Sequence, residues 1–241
     1  MSTTSVNSPG AASDPGSVHD LKAQTTVHVR DGVRLILATH NEHKVRELRE
    51  ILVPLVSGLA PEHIIGAESL ALPEPVEDGV TFEQNALIKA RAVASATGVM
   101  TLADDSGLGV DVMGGAPGIF SARWAGRHGD DAANRHLLLA QLADIAREHR
   151  GAQFTCAAAL VVPHADGSMD EHVETGVMRG HLGFTEHGEN GFGYDPVFYP
   201  DGYDRTNAEL RPQEKDAISH RGKAFRQLAP FVEHALALGT R

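Results

Sequence analysis

Two neighbouring aspartates, Asp104 and Asp105, are the residues whose type and spacing most clearly suit chemistry on a charged substrate. We expect a strand at Val99 to Ala103, so that Asp104-Asp105-Ser106-Gly107 follows its end, where the active sites of open α/β sheets gather. One carboxylate there could hold a hard cation while the other orients a neighbouring group, and Mg²⁺ combines few protein carboxylates with substrate phosphates. The same tetrapeptide also fits a simple Asp-Ser-Gly turn in which an aspartate caps the backbone.

A second acidic segment, Glu77-Asp78-Gly79, precedes a predicted helix from Thr81 to Ala96. Acidic residues are common at such positions because the helix dipole favours negative charge at its N-terminus. If the fold brings Glu77 close to Asp105, the two carboxylates could instead bind one magnesium ion. The sequence is consistent both with an acidic helix start and with a magnesium ligand at Glu77.

The turn at residues 39–41 joins a predicted strand, Val33 to Ala38, to a predicted helix that runs from Asn41 to Leu52. Backbone N–H groups and the helix dipole make such a turn a natural site for a phosphate group. Lys44 lies beside this turn and Lys89 lies on the next helix, so either ammonium group could neutralise phosphate oxygens. Lysines at such positions are also common as solvated surface groups.

The run FGYDP at residues 192–196 places two aromatic rings beside a flexible glycine, in a chain that is only 5% aromatic. An aromatic ring can stack on a nucleobase, which contributes roughly 1–3 kcal/mol per base in single-strand binders. A tight turn with core aromatics would have the same composition. His220 and Arg221 begin the last predicted helix, where they could donate hydrogen bonds to a ligand or face solvent.

Motifs of several other nucleotide-binding and hydrolytic enzymes are missing from the sequence. It contains no GxxxxGK[ST] phosphate loop and no GxGxxG after a strand, and it lacks the GxSxG nucleophile elbow. Cys156 lies within an apolar predicted strand, which is typical of an inert core thiol rather than a nucleophile. An anion-binding turn, acids for magnesium, nearby cations and a stacking aromatic together indicate a site for a nucleotide phosphate.

The composition is that of an ordinary globular protein. The 241 residues are 41% hydrophobic and 22% charged, with a formal net charge of −11. A general nucleic-acid binder usually carries a basic face, so this acidic balance argues against one and requires any polyanionic substrate to be held locally. A single cysteine allows no intrachain disulfide, which agrees with a reducing cytoplasm. Because no apolar run approaches the roughly 20 residues of a membrane helix and no signal-peptide pattern is seen, we expect a cytoplasmic protein with no membrane partner.

The remaining elements must position these residues within one domain. Residues 1–31 are predicted to be a disordered tail, since their Ser, Thr, Gly and Pro content cannot bury enough surface, and residues 32–241 are predicted to be the folded domain. The other predicted elements are a helix at 131–149, strands at 154–162 and 172–182 joined by an Asp166-Gly167 turn, and a closing helix at 219–238 that is interrupted or restarted at Pro230. Strands and helices mix without strict βαβ alternation, which indicates an α/β fold with a mixed β-sheet and flanking helices.

Six segments of the sequence, in order, carry a resemblance to a known family: LATHNEHKVRELREIL, GVTFEQNALIKARA, ADDSGL, GGAPGIFSARWAG, GFGYDP and EKDAISHRGKA. Between about Leu35 and Leu228 the chain resembles the inosine/xanthosine triphosphate pyrophosphatases, also described as dITP/XTP or non-standard purine nucleoside triphosphate pyrophosphatases. Any one segment could arise by chance, but six in order are specific. One departure is His40, which stands where the family often has the glycine of Thr-Gly-Asn, and glycine tolerates a positive φ and close approach to a phosphate.

The resemblance implies an elongated, two-lobed single domain with a central nucleotide cleft, generally a homodimer, that uses Mg²⁺. It also implies hydrolysis of ITP, dITP and XTP to the nucleoside monophosphate and pyrophosphate, which removes deaminated purines from the nucleotide pool. Asp105 would be the catalytic carboxylate and a magnesium ligand, with Glu77 as a second metal ligand. The implied substrate-binding residues are Thr39, His40, Asn41, Glu42, His43, Lys44, Lys89, Ser106, Phe192, Gly193, Tyr194, Asp195, Lys215, His220 and Arg221.

Base selection in such a site has a simple physical form. Hypoxanthine and xanthine carry an acceptor oxygen at the 6-position, where adenine carries a donor amine. Donors such as Arg221 or backbone N–H groups would pair with the oxygen and stay unpaired against the amine, which can give strong discrimination. Guanine also has a 6-oxygen, so its exclusion needs another feature. The alternatives are a non-catalytic purine nucleotide sensor and a pyrophosphatase or phosphatase of different base specificity, which product analysis would distinguish.

Overall fold

The computed structural model describes residues 27–239 of the chain. Residues 1–26 of the predicted disordered tail lie outside these described residues, as do residues 240–241. The amide of Val27 donates a hydrogen bond to the carbonyl of Ala96 at 2.8 Å. Backbone contacts with the rest of the domain therefore begin before residue 32, where the sequence placed the domain boundary.

Between residues 27 and 239 a six-stranded sheet has the order β2-β1-β3-β4-β5-β6. The strands are β1 (Leu35–Leu37), β2 (Ile64–Gly66), β3 (Thr101–Val110), β4 (Gly151–Pro163), β5 (Met169–Leu182) and β6 (Phe198–Pro200). β1 pairs in parallel with β2 and β3, and the pairs from β3 to β6 are antiparallel. The predicted mixed sheet is confirmed, whereas the short strand β6 was not predicted.

Helices cover this sheet on both faces. They are α1 (Glu42–Leu52), α2 (Phe82–Thr97), α3 (Asp131–Gln141), α4 (Pro212–Ile218) and α5 (His220–Leu238). Among the described residues, no helix combines the length and apolar character needed to cross a membrane. The sequence predicted all of these helices except α4, which has only seven residues.

Local side-chain chemistry sets the ends of the two helices that flank the candidate site. The Asn41 side chain accepts a hydrogen bond from the amide of Lys44 at 3.3 Å, which caps the start of α1. Thr81 caps α2 in the same way through the amide of Gln84. Gly98 ends α2 in the left-handed conformation, with a φ of 67°.

The strand that carries the paired aspartates is longer than predicted. β3 runs without interruption through Asp104 and Asp105, which lie opposite Ala158 and Ala157 of β4. The prediction of a strand end at Ala103 is therefore wrong, because the small alanines of β4 leave room for carboxylates within a regular ladder. The parallel neighbour β1 does end nearby, with its last residue Leu37 opposite Leu102. The aspartates thus lie where β3 extends beyond β1.

Two helix predictions need correction. The predicted helix 131–149 ends at Gln141, because the chain then turns so that buried Arg150 can donate to the carbonyl of Leu142 at 2.6 Å. The predicted interruption at Pro230 does not occur, and α5 is continuous. Pro230 lies on the exposed face of the helix. Water can therefore satisfy the carbonyl that loses its backbone partner there.

The core has separate parts on the two faces and at one end of the sheet. α1 and α5 pack on one face through leucines and Phe225, and the alanine-rich α2 packs on the other. A further cluster joins the second half of β3 to α3 and β6. Gly176 of β5 allows the start of α5 to approach closely, since an added Cβ there would lie only 2.0 Å from the carbonyl oxygen of His220. The close approach at Gly176 places the first residues of α5 directly over the sheet.

Candidate active site

Asp104 is a buried carboxylate that joins two helices to β3. Its oxygens accept from Lys44 Nζ at 3.2 and 3.3 Å and from Arg221 Nε at 3.2 Å, and Ser106 Oγ donates to it at 3.2 Å. Burial alone would raise the pKa of Asp104, but the charges of Lys44 and Arg221 outweigh it and hold the pKa well below its usual range. Asp104 is therefore an ionised anchor for two cations rather than a free acid or base.

Asp105 points to the opposite side of β3, because successive side chains of a strand alternate. Asn85 Nδ2 donates to Asp105 Oδ2 at 3.1 Å, and Lys89 Nζ lies 3.6 Å from Oδ1. Burial is the main cause that raises the pKa of Asp105, with a further contribution from the negative charge of Glu77. A carboxylate with a raised pKa in a partly open site is well suited to exchange a proton with a ligand.

Glu77 and Asp105 approach the same ammonium group. Lys89 Nζ lies 3.2 Å from Glu77 Oε1, so the lysine bridges the two carboxylates. Burial lowers the pKa of Lys89, but the neighbouring acids outweigh this effect and raise it. Gly79 makes the approach of Glu77 possible, since an added Cβ would lie 2.5 Å from Asn85 Oδ1. The fold therefore brings together the two acidic segments that the sequence left apart.

The oxygen donors around this point suit a cation that uses few protein ligands. Across residues 27–239, no group of three or more His, Cys, Asp and Glu side chains could hold a metal ion. Asp105 and Glu77 supply two carboxylates, and the buried Asn85 Oδ1 has no hydrogen-bond partner among the described residues. Mg²⁺ commonly binds one or two carboxylates and completes its shell with water and substrate phosphates. The residues present therefore fit Mg²⁺ better than a metal that needs a full protein cage.

The predicted anion-binding turn lies between β1 and α1. Thr39 Oγ1 accepts from the amide of Asn41 at 3.2 Å, and Lys44 extends from the first turn of α1 to Asp104. His40 Nδ1 lies 2.9 Å from Glu74 Oε1 at the surface. Glu42 borders a separate open cavity on the outer side of α1. The side chain of His43 lies outside what the structure describes.

A cleft of ≈ 170 Å³ continues from β3 towards the start of α5. Its walls include Ser106 of β3, the segment 192–195, Lys215 of α4, and His220 and Arg221 of α5. Ser106 also donates to Asp104, so this residue connects the cleft with the buried carboxylate of Asp104. The structure thus brings the predicted base-binding residues together in one cavity beside the predicted phosphate-binding residues.

Asp195 organises the wall of the cleft from a buried position. Its Oδ2 accepts from Lys215 Nζ at 2.7 Å and from the amide of Phe192 at 2.9 Å. Its Oδ1 accepts from Asn207 Nδ2 at 3.1 Å. Asp195 therefore fixes both the aromatic segment and the lysine that face the cleft.

Phe192 and Tyr194 have different environments although they are two residues apart. The Phe192 side chain is 56% exposed at the cleft, and Lys215 Nζ and Arg221 Cζ lie 5.5 and 5.9 Å from its ring centroid. Tyr194 is buried, and its hydroxyl donates to the carbonyl of Ser121 at 2.8 Å. Phe192 is therefore free to stack on a ligand, whereas Tyr194 is a core anchor with an occupied hydroxyl.

Gly193 holds the cleft wall against α3 through its backbone. Its amide donates to Asp131 Oδ2 at 2.7 Å, and its carbonyl accepts from Arg135 Nη1 at 2.7 Å. These two bonds attach the segment 192–195 to the first turns of α3. No local sequence pattern indicates these bonds, because Asp131 lies 62 residues from Gly193.

His220 and Arg221 begin α5 and differ in charge. The His220 ring stacks on Phe154 with centroids 5.0 Å apart, and burial holds its pKa well below the usual value, so the imidazole is neutral. Its Nδ1 is buried without a hydrogen-bond partner in residues 27–239. Arg221 spans from Asp104 to Glu47, whose Oε2 lies 3.1 Å from its Nη1.

Sequence reasoning missed several supporting residues of this site. It gave Asp104 no separate role and did not single out Glu47, although Glu47 lies three residues after Lys44 and therefore near the same face of α1. That spacing is a signal that could have identified Glu47. No comparable local signal exists for Asn207, which reaches Asp195 only through the fold.

Comparisons with known proteins agree with the motif resemblance. The model of the Ham1 family matches residues 35–231. A dITP/XTP pyrophosphatase of Streptomyces avermitilis is 59% identical over 204 residues, which cover 84% of this chain and 98% of the relative. A solved HAM1 protein of Coxiella burnetii has a TM-score of 0.74 and 39% identity, covering 84% of this chain and 99% of its own. The solved nucleoside-triphosphatase / dITP/XTP pyrophosphatase of Mycobacterium abscessus has a TM-score of 0.67 and 49% identity, covering 82% and 100%.

Proposed function

The chain belongs to the Ham1 family, and from this premise we propose that it hydrolyses deaminated purine nucleoside triphosphates, namely ITP, dITP and XTP. The products are the nucleoside monophosphate and pyrophosphate. Relatives that match nearly their full length carry the name dITP/XTP pyrophosphatase, which supports the substrate class.

The observation that carries the proposal is the position of Asp105. It lies within 3.6 Å of Lys89 and beside Glu77, while the adjacent Asp104 holds Lys44 on the other side of the strand. Two carboxylates on opposite faces of one strand therefore each lie beside a lysine from a different helix, next to a cleft with an exposed aromatic ring. A triphosphate whose base enters the cleft would extend its phosphates towards these groups.

In the proposed reaction, Lys44 and Lys89 bind the triphosphate and neutralise the charge of the leaving pyrophosphate. Asp105 orients a water molecule towards the α-phosphorus and accepts its proton, as a general base. When bound by Asp105 and Glu77, Mg²⁺ would supply charge neutralisation for the phosphate oxygens and lower the pKa of a coordinated water. Positioning and electrostatics supply most of the rate in phosphoryl transfer.

The proposed base site uses the residues around the cleft. Phe192 stacks on the purine, and Arg221 or backbone amides pair with the 6-oxygen. Asp195 and Lys215 hold the wall of the site, while Ser106 and the turn 39–44 contact the sugar and phosphates. An adenine amine would leave these donors unpaired, which disfavours ATP.

Three further features of the proposal are supported by the family resemblance more than by the described geometry. We propose that the enzyme requires Mg²⁺ and acts as a homodimer. We also propose that it works in the cytoplasm, which the buried, unpaired Cys156 accommodates. The net charge of −11 is consistent with a small-molecule substrate rather than a nucleic acid.

The test is a pyrophosphate-release assay with ITP, XTP, dITP, ATP and GTP, run with and without Mg²⁺. Rapid release from the first three nucleotides, dependent on Mg²⁺ and much slower for ATP and GTP, is the expected result. Equal release from all five would contradict the base-reading role of Phe192 and Arg221. Release of free phosphate, or no release from any nucleotide, would contradict the reaction itself.

A further inference from the structure

Asp216 is a charged residue of the cleft that has no role in the site described so far. It lies on α4, next to Lys215, and is one of the residues that line the cleft. It is not among the site residues predicted from the sequence. Because it borders the space proposed for the base, its charge acts directly on whatever occupies that space.

The other charged groups of the cleft are paired. Glu47 binds Arg221, and Asp195 binds Lys215. Asp131 accepts a hydrogen bond from the amide of Gly193. The charges within the two ion pairs therefore largely cancel. The carboxylate of Asp131 is held by a backbone amide instead.

Asp216 differs from them, since its carboxylate makes no hydrogen bond and no ion pair with the described residues. Its carbonyl is held instead, by Ser219 Oγ and Arg226 Nη2 at 3.4 Å each. These contacts fix the backbone at the junction of α4 and α5. The residue therefore presents a carboxylate without a hydrogen bond or ion pair from a well-defined position.

Charged groups face Asp216 from three helices. Glu47 and Glu50 lie on α1, Lys215 lies on α4, and Arg221 lies on α5. Burial is the main cause that raises the pKa of Asp216. The charges of Glu47 and Glu50 add to this effect, and those of Lys215 and Arg221 oppose it without outweighing it. The surroundings of Asp216 thus disfavour additional negative charge on this side of the cleft.

The two proposed bases differ in charge near neutral pH. Hypoxanthine is neutral, whereas xanthine has an additional ring N–H beside a carbonyl and loses a proton in this range. An anionic ring next to an unpaired carboxylate experiences repulsion that a neutral ring does not. The repulsion acts on the base itself and is independent of how the triphosphate is bound.

We propose that Asp216 is a specificity-determining residue that favours a neutral base over an anionic one, and therefore inosine over xanthosine nucleotides. The proposal rests on the proposed function, because it assumes that the cleft holds the base. It concerns the ratio of the two substrates and leaves the exclusion of adenine to the donors already described.

The experiment compares kcat/KM for XTP and ITP in the wild-type enzyme and in Asp216→Asn. The variant is expected to raise the XTP-to-ITP ratio about fivefold, which corresponds to about 1 kcal/mol. Added salt should reduce the difference between the two proteins, because the effect is electrostatic and partly exposed. As pH rises and xanthine ionises, the ratio should fall more steeply in the wild type than in the variant.

Asp144→Asn is the matched control, since it removes the same charge from an exposed residue outside the cleft. It should leave the ratio unchanged. A ratio in Asp216→Asn that equals the wild-type value, or that falls, would overturn the proposal. A parallel loss of both activities would indicate instead that Asp216 accepts a hydrogen bond common to both bases, and would also overturn it.

Equilibrium binding of inosine and xanthosine monophosphates separates this proposal from the proposed reaction. If neither nucleotide triphosphate releases pyrophosphate, the reaction fails, but the binding ratio still reports the effect of Asp216. A higher relative affinity for xanthosine monophosphate in Asp216→Asn supports the charge effect. Equal relative affinities in both proteins contradict it.

Discussion

Lys44 and Arg221 donate to the same carboxylate, that of Asp104, although they come from the first and last helices of the described chain. Lys44 lies beside the proposed phosphate-binding turn, and Arg221 lies in the proposed base cleft. Asp104 therefore fixes the relative position of the two halves of the site. Since it is almost completely buried, its charge must be balanced by these cations.

Replacing Asp104 tests this structural role. Asp104→Asn leaves Lys44 and Arg221 close together without their shared anion, so we expect it to lower the free energy of unfolding by about 3–5 kcal/mol. Urea unfolding near neutral pH measures the change. Asp170→Asn is the control, because its carboxylate pairs with His164 at an exposed position. Equal stability of the two variants would contradict the anchoring role of Asp104.

Because His220 is buried in its neutral form, we expect the free energy of unfolding to depend on pH in a specific way. Burial holds the pKa of His220 in the folded protein well below its ordinary value of 6.5. A depressed pKa means that the unfolded chain binds the proton more readily. The contribution to stability is therefore present above about pH 6.5 and is lost as the pH falls below it, by up to about 1.4 kcal/mol per pH unit.

The measurement compares urea unfolding of the wild type and His220→Phe from pH 8 to about pH 5, a range chosen around the ordinary histidine pKa. Phenylalanine keeps the ring that stacks on Phe154 but cannot titrate. The other histidines are present in both proteins, so their effects cancel in the difference. The stability of the wild type should fall more steeply towards low pH. Parallel curves would contradict a buried neutral imidazole.

The regular elements nearest the site were predictable where local chemistry decides them. Asn41, Thr81 and Gly98 mark helix ends through caps that depend on a few neighbouring residues. The apolar strands around Cys156 were predictable from composition. These signals placed the proposed phosphate-binding turn and both lysines on the correct elements.

The remaining features depend on long-range contacts that a local pattern does not contain. Asp104 and Asp105 have the composition of a turn, but the alanines of β4 accept them into a strand. The third helix ends early because Arg150 binds the carbonyl of Leu142 together with that of Leu182, which lies 32 residues after Arg150 in the chain. For the same reason, the pairing of Asp195 with Asn207 could not be foreseen. The sequence therefore placed the candidate residues on their elements, but it did not contain the long-range contacts that hold their side chains.

If Glu77 is a metal ligand, its replacement should increase the Mg²⁺ concentration that the reaction requires. Glu77→Gln removes one of two carboxylates near Lys89. The Mg²⁺ concentration for half-maximal pyrophosphate release should therefore rise roughly tenfold or more, because metal affinity falls on this scale even when only a supporting group is lost. Titration of Mg²⁺ at saturating ITP measures it. Asp78→Asn, an exposed neighbour with the same loss of charge, is the control. An unchanged Mg²⁺ requirement in Glu77→Gln would contradict the assignment of Glu77 as a ligand.

The most direct test of the proposed reaction is the turnover of ITP by Asp105→Asn. The substitution leaves Asn85 and Lys89, which contact Asp105 in the wild type, unchanged in the sequence. Because the amide cannot accept the proton of the attacking water, kcat for pyrophosphate release should fall by about 10²–10⁴-fold. Binding of inosine monophosphate and the unfolding midpoint should stay close to wild type. Near-normal release of pyrophosphate from ITP by a folded Asp105→Asn protein would contradict the central claim that Asp105 is the catalytic carboxylate.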